Sequence, residues 1–156
     1  MTAGTSGPAI TAPPAWSRVF PATPAQVREA RRFLSRILAG SPAADDAILC
    51  LSELAANATI HSNSARPGGH FSVRAQMCHG SRLRVEVQDQ GGSWASRQTG
   101  RDAPHGRGLL VVARLAQDWG RKGDSRTGWT VWFEMDCRSP ADVVNTNAVP
   151  PPAGRS

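Results

Sequence analysis

The stretch Glu53-Leu54-Ala55-Ala56-Asn57-Ala58-Thr59-Ile60-His61 decides how the rest of the chain is read. On a helix, positions four apart lie nearly above one another, so Glu53, Asn57 and His61 form one polar line. Ile48, Leu51, Leu54, Ala55 and Ala58 fall around that line, so part of it borders a core. A carboxylate, a carboxamide and an imidazole beside a core-facing surface mark a ligand site or a hydrogen-bond network; the ordinary alternative is a stripe pointing into water. The helix alone leaves both open.

Working outward, Ser41-Pro42 supplies a hydroxyl cap followed by a proline at the first helical position, so this helix is expected from there to about residue 62. Upstream, Pro24 opens another helix, and Val27, Ala30, Leu34, Ile37 and Leu38 keep its period up to Gly40. Residues 16–20 read as a short strand with Trp16, Arg18 and Phe20 on one side. Downstream, residues 63–69 are a turn by composition. Phe71, Val73, Ala75 and Met77 alternate, as do Leu83, Val85 and Val87, with a glycine turn between them, which predicts an antiparallel hairpin. Residues 91–105 have no period and form a long loop of the kind that is functional or disordered. A helix is expected over 106–119, a turn over 121–128 and a last strand over 129–135. That order implies an α+β, two-layer sandwich: helices packed on one face of a mainly antiparallel, mixed sheet. Proline and small polar residues at both ends predict disordered tails over 1–14 and 137–156, leaving 15–136 as one domain.

Composition narrows the function. The chain has 156 residues, 40% of them hydrophobic, enough for one core. No apolar run approaches the ~20 residues of a membrane span, and the N-terminus has no secretory-signal pattern. Cys50, Cys78 and Cys137 are odd in number and without a Cys-x-x-Cys pair, which disfavours a disulfide framework and suits a reducing cytoplasm. The net charge of +6 does not point to nucleic acid, because the basic residues are scattered and not interleaved with aromatics. Of 18 basic residues only Lys122 is lysine, and it sits in Trp119-Gly-Arg-Lys-Gly-Asp, which is not a P-loop. The strand lysine of ordinary protein kinases has no counterpart either.

Three further features join the helical stripe. Asp89 continues the alternation of Leu83, Val85 and Val87, so its carboxylate takes their buried phase and needs a donor. Gly91 and Gly92 follow it, and without β-carbons they let the backbone approach a ligand closely. Gly106, Arg107 and Gly108 open a helix, where free amides, the positive dipole end and a guanidinium suit a phosphate. Thr130 begins the last strand with a hydroxyl that can face either way. Each has an ordinary reading: Asp89 caps its turn, the glycines only bend the chain, Thr130 serves β-propensity, and His61 meets a helix dipole or solvent. Their order along the chain separates the two readings.

In that order they resemble the GHKL (Bergerat-fold) nucleotide-binding family, which includes the ATPase domains of histidine kinases, and most of all its small anti-sigma factor serine kinases and related regulators of actinobacterial type. The resemblance covers residues 16–136. Glu53 with Asn57 matches the family's first box, Asp89-Gln90-Gly91-Gly92 its aspartate-glycine box, and Gly106-Arg107-Gly108-Leu109 its second glycine box. One departure is clear: the usual Asp-x-Gly-x-Gly has glycine at its fifth place, where this chain has Ser93, with the extra glycine one place early at Gly92. No phosphoacceptor-histidine helix precedes the motifs, so a complete sensor kinase is not expected.

The resemblance implies ATP and Mg2+ as cofactors. It implies that Asp89 accepts a hydrogen bond from the adenine amino group, that Gly91 lets the base sit on the backbone, and that Asn57 holds the metal. It assigns Glu53 as general base, Gly106, Arg107 and Gly108 to the phosphates, the long loop to a lid, and Thr130 to support of Asp89 or a bridging water. The implied reaction is transfer of the γ-phosphate to a serine or threonine of an antagonist protein. The rival is a nucleotide-dependent module that sequesters a sigma factor or another partner with little turnover. Either way a protein partner is expected, with no direct nucleic acid and no membrane. A homodimer is a further expectation, resting on apolar residues of the last strand, Trp132 or Val131 and Phe133, on the helix-free face.

Overall fold

The computed structural model describes residues 12–93 and 108–139. Its strands are β1 (Ala15–Pro21), β2 (His70–Cys78), β3 (Arg82–Gln88), β4 (Asp118–Asp124) and β5 (Gly128–Asp136); its helices are α1 (Pro24–Ile37), α2 (Ala44–His61) and α3 (Gly108–Leu115). The strands form one sheet in the order β1-β2-β3-β5-β4. Among the described residues every pairing is antiparallel, so the expected α+β class holds without a parallel component.

The hairpin forms where the alternation placed it, with Val73 opposite Val87 and Ala75 opposite Val85. Its turn is tight because Gly80 and Ser81 both take positive φ, at 74° and 64°. Phe71, Val73, Ala75, Leu83, Val85, Phe133 and Met135 point to one face, where they meet Leu34, Leu51, Leu54 and Val112 from the three helices. Phe20 and Phe71 are cross-strand partners whose rings stack at 5.4 Å, and Phe33 of α1 meets Phe20 edge-on at 6.0 Å. Of the three residues expected on one side of β1 only Phe20 is buried; Trp16 and Arg18 stay exposed on this edge strand.

Several boundaries differ from those expected. α2 begins at Ala44 instead of 41–42, because Ser41 to Ala43 form a turn in which the Ala43 amide donates to the Ser41 hydroxyl at 3.3 Å. Asp45 and Asp46 then occupy its first turn, where their charges suit the dipole. The larger difference is β4. The sequence suggested the end of a helix and a turn, but α3 stops at Leu115 and residues 118–124 pair along β5. This strand has no alternating apolar pattern, since as an edge it gains its stability from the backbone ladder with β5. Its Arg121 and Lys122 are charges of the kind that keep an edge from recruiting further strands.

The register also settles the helix-free face. Val131 and Phe133 are buried on the helix side, so Trp132 and Glu134 point away. Trp132 is not an open apolar patch: the Arg84 guanidinium lies 3.9 Å over its ring, and a Cβ on Gly120 would come within 2.8 Å of the indole. Around it Arg84 pairs with Glu134 at 2.9 Å and Glu86 at 3.0 Å, Arg82 with Glu134 at 3.2 Å, and Lys122 with Glu86 at 3.2 Å. The apolar dimer surface expected here is therefore replaced by a charged lattice around one covered indole. None of the described helices is long and apolar enough to cross a membrane.

Candidate functional site

Glu53 and Asn57 do share a face of α2, and that face meets the first turn of α3. The contact is so close that a Cβ on Gly108 would lie 2.7 Å from Glu53 Oε2, 3.2 Å from Glu53 Cβ and 3.5 Å from Asn57 Nδ2. Gly108 is buried, and its missing Cβ leaves the Glu53 carboxylate room in this position, with Asn57 at ordinary contact distance. His61 ends α2 half-buried, two turns from Glu53.

Asp89 stands where the alternation of β3 placed it, 7% exposed and on the helix side. Its Oδ1 accepts from the Gly91 amide at 2.7 Å and from the Trp129 amide at 3.2 Å, so the inward carboxylate has the donors its burial requires. Asn57 and Asp89 line one cavity with Leu54, Ala58, Val87, Leu109 and Val131. The space between them is about 10 Å³, room for one water molecule and not for a purine. Leu109 of α3 is one of its walls.

The bend after Asp89 is held from two sides. From the end of α2, the buried Ser64 hydroxyl accepts from the Gln90 amide at 3.0 Å, Asn63 Nδ2 donates to the Gln90 carbonyl at 3.3 Å, and the Asn63 amide donates to the Gly91 carbonyl at 2.9 Å. From the β4–β5 turn, the Ser125 carbonyl accepts from the Gly92 amide at 2.9 Å. Gly91 and Gly92 both take positive φ, 88° and 99°. A Cβ on Gly91 would fall 2.4 Å from the Ser125 carbonyl oxygen. On the side where a Cβ would stand, Gly91 packs against the chain's own turn.

Thr130 is buried, 8% exposed, but not in the phase of Asp89. It pairs with Gln88 and Lys122 and takes the phase of Trp132 and Glu134, opposite to Val131, so alternation turns it from the helix side on which Asp89 lies. The residue level with Asp89 is Trp129, whose carbonyl accepts from the Asp89 amide at 2.9 Å. Trp129 was missed, as were Asn63 and Ser64. Counting back by two from Val131 gives the phase of Trp129; the polar run directly after α2 was the signal for Asn63 and Ser64. Gly106 and Arg107, with the long loop before them, lie outside the described residues. Among the described residues no three His, Cys, Asp or Glu side chains gather as a metal site.

Comparison with known proteins agrees with this fold. A model of the histidine kinase-like ATPase domain matches residues 20–135. No curated protein matches the chain in sequence. Among solved structures, the RsbU and RsbW domains of Rv1364c from Mycobacterium tuberculosis superpose with a TM-score of 0.65 at 21% identity over 81% of this chain, which spans 33% of that one. The SiaB–SiaC complex from Pseudomonas aeruginosa includes a chain similar at a TM-score of 0.58 and 13% identity, over 77% of this chain and 88% of that one. At these identities the likeness is one of fold.

Proposed function

Because the chain belongs to the histidine kinase-like ATPase domain family, we propose that the cleft between α2, α3 and the bend after β3 binds Mg-ATP. Its γ-phosphate is transferred to a serine or threonine of an antagonist protein. The observation that carries this is the junction at Gly108. A carboxylate and a carboxamide from α2 sit against the N-terminal turn of α3, while that same Asn57 shares a cavity with Asp89. Phosphates at that helix start would meet free amides and a positive dipole end, with Glu53 near enough to orient or deprotonate an attacking hydroxyl. Asn57 would offer its oxygen to magnesium, alongside phosphate oxygens and water. Asp89, already fixed by two backbone amides, would accept from the adenine amino group. Bound magnesium supplies charge neutralisation; positioning supplies the rest. Entry of the base needs Leu109 and the start of α3 to move outward, since the present space takes a single water.

The resemblance to anti-sigma kinases and the fold shared with an RsbW domain support a protein as acceptor. The test is titration with a fluorescent ATP analogue with and without magnesium, followed by phosphoryl transfer to candidate antagonist proteins. Micromolar, magnesium-dependent binding is expected, with Glu53→Gln retaining it and losing transfer by at least a hundredfold. Binding without any transfer by wild type would leave the sequestering module as the better description, and no binding would refute both.

A further inference from the structure

One contact in the site is used by none of the roles above. The indole Nε1 of Trp129 donates to the Gly92 carbonyl at 3.0 Å, while the amide of the same residue donates to Asp89 Oδ1. The Arg121 guanidinium lies 4.9 Å from the ring centroid, on the neighbouring strand. Trp129 thus touches the bend at both ends, at the carboxylate that opens it and at the last glycine. Gly92 has a φ of 99°, in the region that favours glycine, and it is packed with 3.2 Å between a hypothetical Cβ and Asn63 Oδ1. Gly92 is also the glycine that stands one place early in the aspartate-glycine box. The shifted glycine of the box is thus the residue whose carbonyl receives the tryptophan beside it.

We infer that Trp129 is a positioning residue that sets purine specificity: through Gly92 it fixes the bend from which Asp89 is presented. This rests on the ATP reading of the cleft. A carboxylate held rigidly accepts from the amino group of adenine and repels the carbonyl that guanine has at the same position. A carboxylate on a loosened bend can turn aside, so discrimination falls before binding is lost.

The variant is Trp129→Phe in the full chain, which keeps one ring beside Arg121 and removes the indole donor together with the second ring. Without nucleotide, amide hydrogen exchange at Gly91 and Gly92 should accelerate at least tenfold, and unchanged rates would overturn the inference. With magnesium and fluorescent analogues of ATP and GTP, affinity for the ATP analogue should fall about tenfold and that for the GTP analogue less than twofold. The melting temperature should stay within a few degrees of wild type. Equal losses for both analogues, or none, would leave Trp129 a packing residue only and defeat the proposal. A wild-type chain binding neither analogue would sink the ATP reading by itself, while the exchange rates would still decide whether Trp129 holds the bend.

Discussion

Gly108 shows how much a single missing carbon decides. Its Cβ would collide first with the tip of the Glu53 side chain, which can swing away, and only tightly with the Glu53 Cβ. Gly108→Ala should therefore cost little stability, on the order of 1 kcal/mol or less, yet displace the carboxylate proposed as base. The expected result is nearly unchanged thermal unfolding with phosphoryl transfer reduced at least tenfold; a fully active variant would show that the carboxylate position is not critical. At this scale the sequence was legible wherever a regular period carried the information. The i, i+4 line placed Glu53 and Asn57 together, and strand alternation put Asp89 inside. It failed where the period had to be started from an unknown phase. In β5 it is Trp129, one position before Thr130, that shares the phase of Val131 and stands level with Asp89. Nothing local announces that Gly91 packs against a turn 34 positions later in the chain.

Among the elements, β4 was invisible to periodicity. A strand that pairs on one side only, with two glycines and mixed charges, carries no hydrophobic signal; β5 defines it from outside. What the element contributes is partly electrostatic. Burial raises the Glu86 pKa, and hydrogen bonds from Arg84 and Lys122 together with their charges outweigh it, so the carboxyl titrates below its ordinary value of 4.5. A carboxylate depressed in the folded state contributes stability that is present above its unfolded pKa and lost as pH falls through the folded one. Thermal melts of wild type should therefore decline as the pH drops below about 4.5, and Glu86→Gln should flatten the part of that decline owed to this group. Equal slopes for the two proteins would mean that the lattice joining β3, β4 and β5 contributes nothing measurable, as many exposed ion pairs do. Lys122, the chain's one lysine, belongs to this lattice and not to a phosphate site.

For the whole molecule, the buried thiol of Cys50 offers a gauge of global opening. It lies fully inside, against the core between α2 and its neighbours, and burial with the nearby Asp46 and Glu53 charges pushes its pKa up to about 12. Only about one part in 10⁴ is thiolate at pH 8, so alkylation of the folded chain should leave Cys50 unmodified while the partly exposed Cys78 reacts. Mass spectrometry after brief iodoacetamide treatment checks this, and rapid modification of Cys50 under native conditions would show a looser core than described. The layer arrangement was legible because every inner residue except those of β1 and β4 followed its period; the strand order was not, since nothing local states which strands meet. That order has a kinetic consequence. The β2–β3 and β4–β5 hairpins can close on their own, but Phe20 must find Phe71, and Val87 must find Val131, across 51 and 44 positions of chain. Two long loops therefore have to be closed, at an entropic cost repaid only afterwards, before the proposed nucleotide cleft is complete. Binding competence should arrive last in folding, with the completed sheet, and be the first thing surrendered when its central seam between β3 and β5 parts.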